Sequence, residues 1–214
     1  MGVRQQLFCM SFATTYPWGM PNSVFDELTK CRLCAERFAA TKTKHEPRPV
    51  FRGDPSARIL IAGQAPGARV HQSGLPFTDP SGDRLRDWMD VTEAEFYDTA
   101  RIAILPMAFC FPGYNEKGAD LPPPPICART WRARVMAAFP NIRLTLVIGQ
   151  YAQKWHLPRF NNVTDTVRGW KAQGTDVFPL PHPSWRNTAW WKKNPWFETD
   201  LLPELRRRIQ KELR

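Results

Sequence analysis

Residues 57–67 read ARILIAGQAPG, a short apolar, β-rich run closed by a glycine and followed by a tight, glycine-bounded turn. Such a run fits a buried strand, and the turn at its end is where α/β proteins often place chemistry. Gln64 stands at the centre of that turn, and an amide cannot act as a general base. The stretch thus predicts a strand with a site-bearing loop, and leaves open which other residue carries a reaction.

Strand and helix patterns alternate outward from this point. SVFDELTKCRLCAERFAA (23–40) reads as one or two short helices with Ser23 as N-cap, and residues 1–22 read as irregular. GDRLRDWMDVT (82–92) has the helical period, with Leu85, Trp88 and Met89 on one face. RIAILPMAF (101–109) is a second buried strand, which Pro106 ends or confines to an edge. GYNEKGADLPPPP is a loop with a stiff proline tract, ICARTWRARVMAAF (126–139) a helix, and RLTLVIG (143–149) a third strand before the helical QYAQKWHL. DVFPLPHPS (176–184) is a fourth, proline-bounded strand, and LPELRRRIQKELR closes the chain as a helix. The alternation predicts a layered α/β fold with a mainly parallel sheet, without internal repeat or linker. GQAPG, PMAFC, IGQYAQ and HPSWRN each follow a predicted strand, so they converge on one sheet edge, beyond the carboxyl ends of the strands.

The 214 residues fit one domain with a substantial core. Thirty Lys and Arg against twenty Asp and Glu give a net charge of +10, a field that favours a polyanionic partner such as nucleic acid or an acidic membrane surface, although a merely basic surface has the same composition. No apolar run approaches the about 18 residues of a membrane span, and the N-terminus lacks the pattern of a signal peptide. A cytoplasmic, reducing compartment is the expectation, in which the five cysteines are free or metal-bound rather than paired. Cys31 and Cys34 form a CxxC, a spacing that lets two thiolates share a metal centre but also suits two small buried residues. Cys110 and Cys127 lie far downstream and Cys9 is left over. Four thiolates suit zinc or an iron–sulfur cluster, and spacing alone does not choose between them.

GQAPG, SGLPFTDPSGDRL, LVIGQYAQKW and HPSWRN, with the cysteine pattern, resemble in order and spacing the motifs of the uracil-DNA glycosylase superfamily, nearest its iron–sulfur branch known as family 4. The resemblance spans roughly residues 25–190 of a single domain covering residues 1–214. Each motif is weak alone; their common register carries the likeness. It implies a three-layer α/β fold with a central four-stranded, mainly parallel sheet flanked by helices. It also implies a structural 4Fe–4S cluster on Cys31, Cys34, Cys110 and Cys127, zinc being the alternative. The implied activity is hydrolysis of the N-glycosidic bond of deoxyuridine in single- or double-stranded DNA, after extrusion of the nucleotide. Free uracil and an abasic site would result, as the opening of base-excision repair. A monomer associated with a bacterial nucleoid through DNA is expected.

Roles follow position by position from the resemblance. Phe77 matches the aromatic that stacks on the extruded uracil. His182 matches the motif histidine that donates to the uracil O2 as negative charge gathers there. Gly63, Ala65, Pro66, Gly67, His71, Met107 and Ala108 are expected around the base. Ser184, Trp185, Arg186 and Asn187 match the loop that enters the minor groove, with Trp185 as wedge and Arg186 as phosphate or base contact; the same residues would also serve as an aromatic cover for the core. Arg52, Arg69, Arg84, Lys192 and Lys193 are candidate backbone contacts. Two departures from family 4 stand out. Gln64 occupies the position of a carboxylate, and Pro106 that of an asparagine that reads the uracil edge in several members. Asp79 is the expected water-activating or cation-stabilising carboxylate, although TDPSGD is also a turn and helix-cap sequence. His71 is a second candidate for that work, and Gln64 is kept as a positioning residue.

Overall fold

The structure is a computed structural model that describes residues 24–214. Cys9, Ser23 and the irregular reading of residues 1–22 lie outside the described residues. Four strands, β1 (Ile59–Ala62), β2 (Ile102–Ile104), β3 (Leu144–Ile148) and β4 (Val177–Leu180), form one sheet in the order β2-β1-β3-β4. Every pairing is parallel, so the carboxyl ends of all four strands share one edge, as expected. The helices in chain order are α1 (Val24–Thr29), α2 (Ala35–Ala39), α3 (Ala68–Ser73), α4 (Pro80–Met89), α5 (Glu93–Phe96) and α6 (Pro125–Cys127). They continue with α7 (Ala133–Ala137), α8 (Gly149–His156), α9 (Val163–Arg168), α10 (Thr188–Lys193) and α11 (Leu202–Leu213).

Both sheet faces are apolar, as a parallel sheet covered on both sides requires. Ile59 and Ile61 point to one face and Leu60 and Ala62 to the other. The first face is covered by Leu85, Trp88 and Met89 of α4 and by Leu202, Leu205, Ile209 and Leu213 of α11. Phe25 and Leu28 of α1, Val135 of α7 and Ala152 of α8 cover the second. The three-layer α/β fold is therefore present.

The expected strand over 101–109 is shorter, ending at Ile104. Beyond it the backbone turns its donors sideways: Leu105, Met107 and Ala108 N–H donate to the carbonyls of Ile61, Gly63 and Gln64 at 3.0, 2.9 and 3.0 Å. Ladder pairing thus becomes loop-to-loop pairing, which fastens GQAPG to PMAFC. The helix expected over 126–139 contains a π-helical turn at Ala128–Arg132 between α6 and α7. That turn carries Arg132, fully buried, whose Nη1 donates to Leu105 O at 2.6 Å and whose Nη2 donates to His156 Nε2 at 2.6 Å. The guanidinium pins the end of β2 from behind.

α4 seats the segment before it. Phe77 adopts a left-handed backbone at φ 57°, an unfavourable state for a non-glycine residue that the surroundings must impose. Tyr97 Oη donates to the carbonyls of Pro76 and Phe77 at 2.7 and 3.2 Å, and Arg86 Nη1 donates to Phe77 O at 3.3 Å. The first turn of α4 lies directly on that carbonyl, since a Cβ on Gly82 would fall 1.8 Å from it.

Gly82→Ala should therefore lower unfolding free energy in urea by about 1–3 kcal/mol, the range for overpacking. Gly67→Ala should cost far less, because its Cβ would meet nothing within 4 Å. A pH dependence follows from His156, which burial, reinforced by Arg132, holds down at about 3. Unfolded, a histidine takes up its proton below about 6.5. The contribution is thus complete above that value and is lost as pH falls below it, because the unfolded chain binds the extra proton. Thermal unfolding from pH 8 down to 5 should record this fall, with a shallower slope in His156→Gln.

Candidate active site

A cleft of about 660 Å³ opens at the carboxyl edge of the sheet. The predicted Gly63, Gln64, Ala65, Pro66, Gly67, Phe77, Asp79 and His182 all line it, although they come from three separate stretches of chain. Ile104 and Ile148, both almost fully buried, form its apolar floor. The Phe77 ring lies over Gly63, its tip 3.7 Å from where a Cβ would stand there, and meets Phe96 edge-on at a centroid distance of 5.9 Å. Gln64 is half-buried, with no side-chain hydrogen bond among the described residues.

His182 is oriented by its own turn. The Ser184 N–H donates to His182 Nδ1 at 3.2 Å, so Nδ1 is an acceptor and the proton of the neutral ring is on Nε2. Burial pushes this imidazole below its ordinary value, against an opposing pull from the Asp79 carboxylate. The cleft therefore holds a neutral ring with an N–H to offer. Asn187 Nδ2 donates to His182 O at 2.7 Å, and Arg84 Nη1 to Pro183 O at 3.3 Å. Arg84 also stacks on Trp191 of α10 at 4.0 Å, so α4 holds both the HPSWRN turn and the helix after it. Buried Gln153 of α8 donates to Leu180 O at 2.9 Å, two residues before the histidine.

Asp79 has two positions to fill. It is the N-cap of α4, its Oδ1 accepting from Ser81 and Gly82 N–H at 3.1 and 3.2 Å, and it lines the cleft beside His182. The cap contained in TDPSGD is thus formed.

Three expected residues lie outside the lining. His71 on α3 turns toward His45, at a ring centroid distance of 5.1 Å, and toward Phe111 at 6.0 Å. Met107 and Ala108 are buried, and their N–H groups are taken by Gly63 and Gln64, leaving none for a base edge. Of the HPSWRN turn, Ser184 and Asn187 spend their side chains on the turn itself, whereas Trp185 is 69% exposed and Arg186 is exposed beside it. Arg52 is bound to Tyr97 O at 3.1 Å, whereas Arg69, Lys192 and Lys193 face solvent.

Sequence reasoning missed Asp120, which joins the cleft from the GYNEKGADLPPPP loop, and also Val50, Val70 and Ser81. Desolvation and the nearby Asp79 charge push the Asp120 carboxyl up, against the pull of Arg186. An acidic residue inside a long loop has no periodic pattern that would reveal where it points. The one available signal was that this loop leaves directly from PMAFC.

A second cavity, lined by Cys31, Cys34, Cys110 and Cys127, lies behind the PMAFC turn. All four thiols are free. Among the described residues no set of three or more His, Cys, Asp or Glu is drawn together to hold a single ion. The sulfurs are nonetheless furnished as ligands. Trp131 Nε1–H donates to Cys31 Sγ at 3.3 Å, Phe109 N–H to Cys127 Sγ at 3.4 Å, and the Arg48 N–H reaches Cys110. Burial pushes the Cys127 thiol up to about 12 and raises Cys110 and Cys34 as well. A bound cationic centre would offset that penalty by taking up the thiolates. In donor chemistry the set fits an all-cysteine group.

The described chain contains no helix long and apolar enough to cross a membrane. Compared with known families, residues 50–206 match the model of the Uracil DNA glycosylase superfamily, spanning all four strands and the cleft. The chain belongs to the uracil DNA glycosylase superfamily.

Proposed function

We propose that this protein hydrolyses the N-glycosidic bond of deoxyuridine in DNA and leaves an abasic site for base-excision repair, acting as a monomer of the iron–sulfur, family 4-like branch. The supporting observation is one cleft that joins an aromatic face, an uncommitted amide and a neutral imidazole N–H: Phe77, Gln64 and His182. The extruded uracil stacks on Phe77. The Gln64 amide, both donor and acceptor, reads a base edge or holds the water. As the glycosidic bond lengthens, its electron pair moves into the base and negative charge collects on O2, where His182 Nε2–H donates. A neutral donor suits this work, since no proton has to be lost before it can serve. Exposed Trp185 fills the space left in the duplex, and Arg186 meets the phosphate backbone. The net charge of +10 favours DNA in general.

Cys31, Cys34, Cys110 and Cys127 would hold a 4Fe–4S cluster, which when bound supplies cross-linking of α1–α2, the PMAFC turn and α6 rather than redox chemistry. A second reading, a module that binds uracil or abasic DNA with little turnover, rests on Gln64 in place of an acid and on the capping duty of Asp79.

Single-turnover excision should be measured on uracil, hypoxanthine, xanthine and thymine in single- and double-stranded oligonucleotides. Cleavage at uracil is the expected result. Tight binding of abasic DNA without excision would replace it with the second reading. His182→Ala should lower the rate about 10²–10³-fold, the loss typical of one oxyanion donor. Because the neutral ring is the working form and its pKa is lowered, this contribution should persist at pH 6.5 and fade only at more acidic pH. Anaerobically purified protein should be brown with about four irons per chain, and Cys127→Ala should lose the colour and melt at lower temperature. Colourless protein containing zinc would replace the cluster.

A further inference from the structure

We infer that Asp120 is the carboxylate that activates water for this hydrolysis, an assignment that rests on the function proposed above. Its position is built by the chain. A short hairpin is closed by Leu121 N–H on Gly113 O at 2.8 Å and by an antiparallel bridge between Tyr114 and Asp120. At its tip Asn115 Oδ1 accepts from Lys117 and Ala119 N–H at 3.0 Å each, and Gly118 takes the left-handed turn at φ 75°. Gly113 packs on Thr41, 3.0 Å from where a Cβ would stand, and Tyr114 packs on Phe111 at 5.1 Å. The prolines after Leu121 stiffen the return. The hairpin thus has a fixed base and delivers Asp120 to the cleft wall.

Depth distinguishes the two carboxylates of the cleft. An extruded base enters first and lies on the buried floor of Ile104 and Ile148, while its sugar stays nearer the mouth. Asp120 lines the cleft and is exposed, which puts it on the mouth side where the sugar would stay, with Arg186 near enough to act on its charge. Asp79 is half-buried, and one of its oxygens is held by two backbone N–H groups. The Asp120 side chain accepts no hydrogen bond among the described residues, so neither oxygen is committed to the protein as the Asp79 oxygen is. Desolvation raises its carboxyl, which makes the ionised form a better proton acceptor than an ordinary aspartate. In the step itself, the C1′–N1 bond breaks and its electron pair leaves with the base, toward His182. The water oxygen bonds C1′, and the proton of that water passes to the Asp120 carboxylate. The departing base anion takes its proton from solvent.

The test is single-turnover excision of uracil by the full chain, with DNA affinity and thermal melting measured on the same preparations. Asp120→Asn should slow excision about 10²-fold or more, with DNA binding and melting unchanged, and Asp120→Glu should recover part of the rate. Asp79→Asn should melt earlier and lose less than tenfold in rate per folded molecule. Wild-type rates in Asp120→Asn, or a larger loss in Asp79→Asn, would overturn the assignment of Asp120 alone. So would a rate loss that merely tracks unfolding and is not relieved in Asp120→Glu. Failure of the wild-type chain to release uracil from any DNA would overturn the proposed function and this assignment with it.

Discussion

The cleft depends on the loop-to-loop pairing that continues past the end of β2. Met107 and Ala108 N–H on the carbonyls of Gly63 and Gln64 convert two flexible strand exits into one rigid ledge. Without those bonds, the buried N–H groups of Met107 and Ala108 would lack partners in an apolar wall, at a cost of about 1–3 kcal/mol each. Arg132 reinforces the same ledge from behind through Leu105 O. A buried guanidinium is expensive, and its described partners are carbonyls and an imidazole rather than a carboxylate. It is retained at a point where movement of β2 would displace GQAPG in front and Cys110 behind.

The fold was legible because strand chemistry in this chain is blunt. Ile59–Ala62, Leu144–Ile148 and Val177–Leu180 are apolar on both faces except at Thr145 and closed by glycine or proline, which leaves only a covered parallel sheet as a home. The short helices α3, α5, α9 and α10 were not read. Each is four to six residues long, too short to establish a period, and α5 depends on a capping box between Thr92 and Glu95. The π-helical turn was invisible for a related reason, since one widened turn leaves composition unchanged.

At the site, motif residues next to strand ends were legible, because a parallel sheet carries all of its carboxyl ends to one edge. Phe77, Asp79 and His182 meet Gln64 for that reason. His71, expected around the base, lies outside the cleft lining, because its helix, α3, turns it toward the rings of His45 and Phe111. Met107 and Ala108, also expected around the base, lie outside the cleft lining, and the ledge consumes their N–H groups. Asp120 was missed since its approach depends on a hairpin fixed by Asn115, Gly118 and the distant Thr41 rather than on any periodic pattern.

Glutamine at position 64 changes the division of work rather than removing any part of it. An acid there would sit on the ledge, beside the base. With an amide in its place, the ledge can hold and read but cannot take a proton, so proton transfer belongs to groups that enter from other walls. Asp79 enters on the N-cap of α4, where the geometry that fixes it also occupies it. Asp120 enters on a hairpin that starts three residues after Cys110 and ends six before Cys127. On the proposed reading, the four-cysteine group clamps both roots of that hairpin. A hydrolysis that moves no electrons between metal and substrate would then still need its cluster, because the cluster sets where the carboxylate stands.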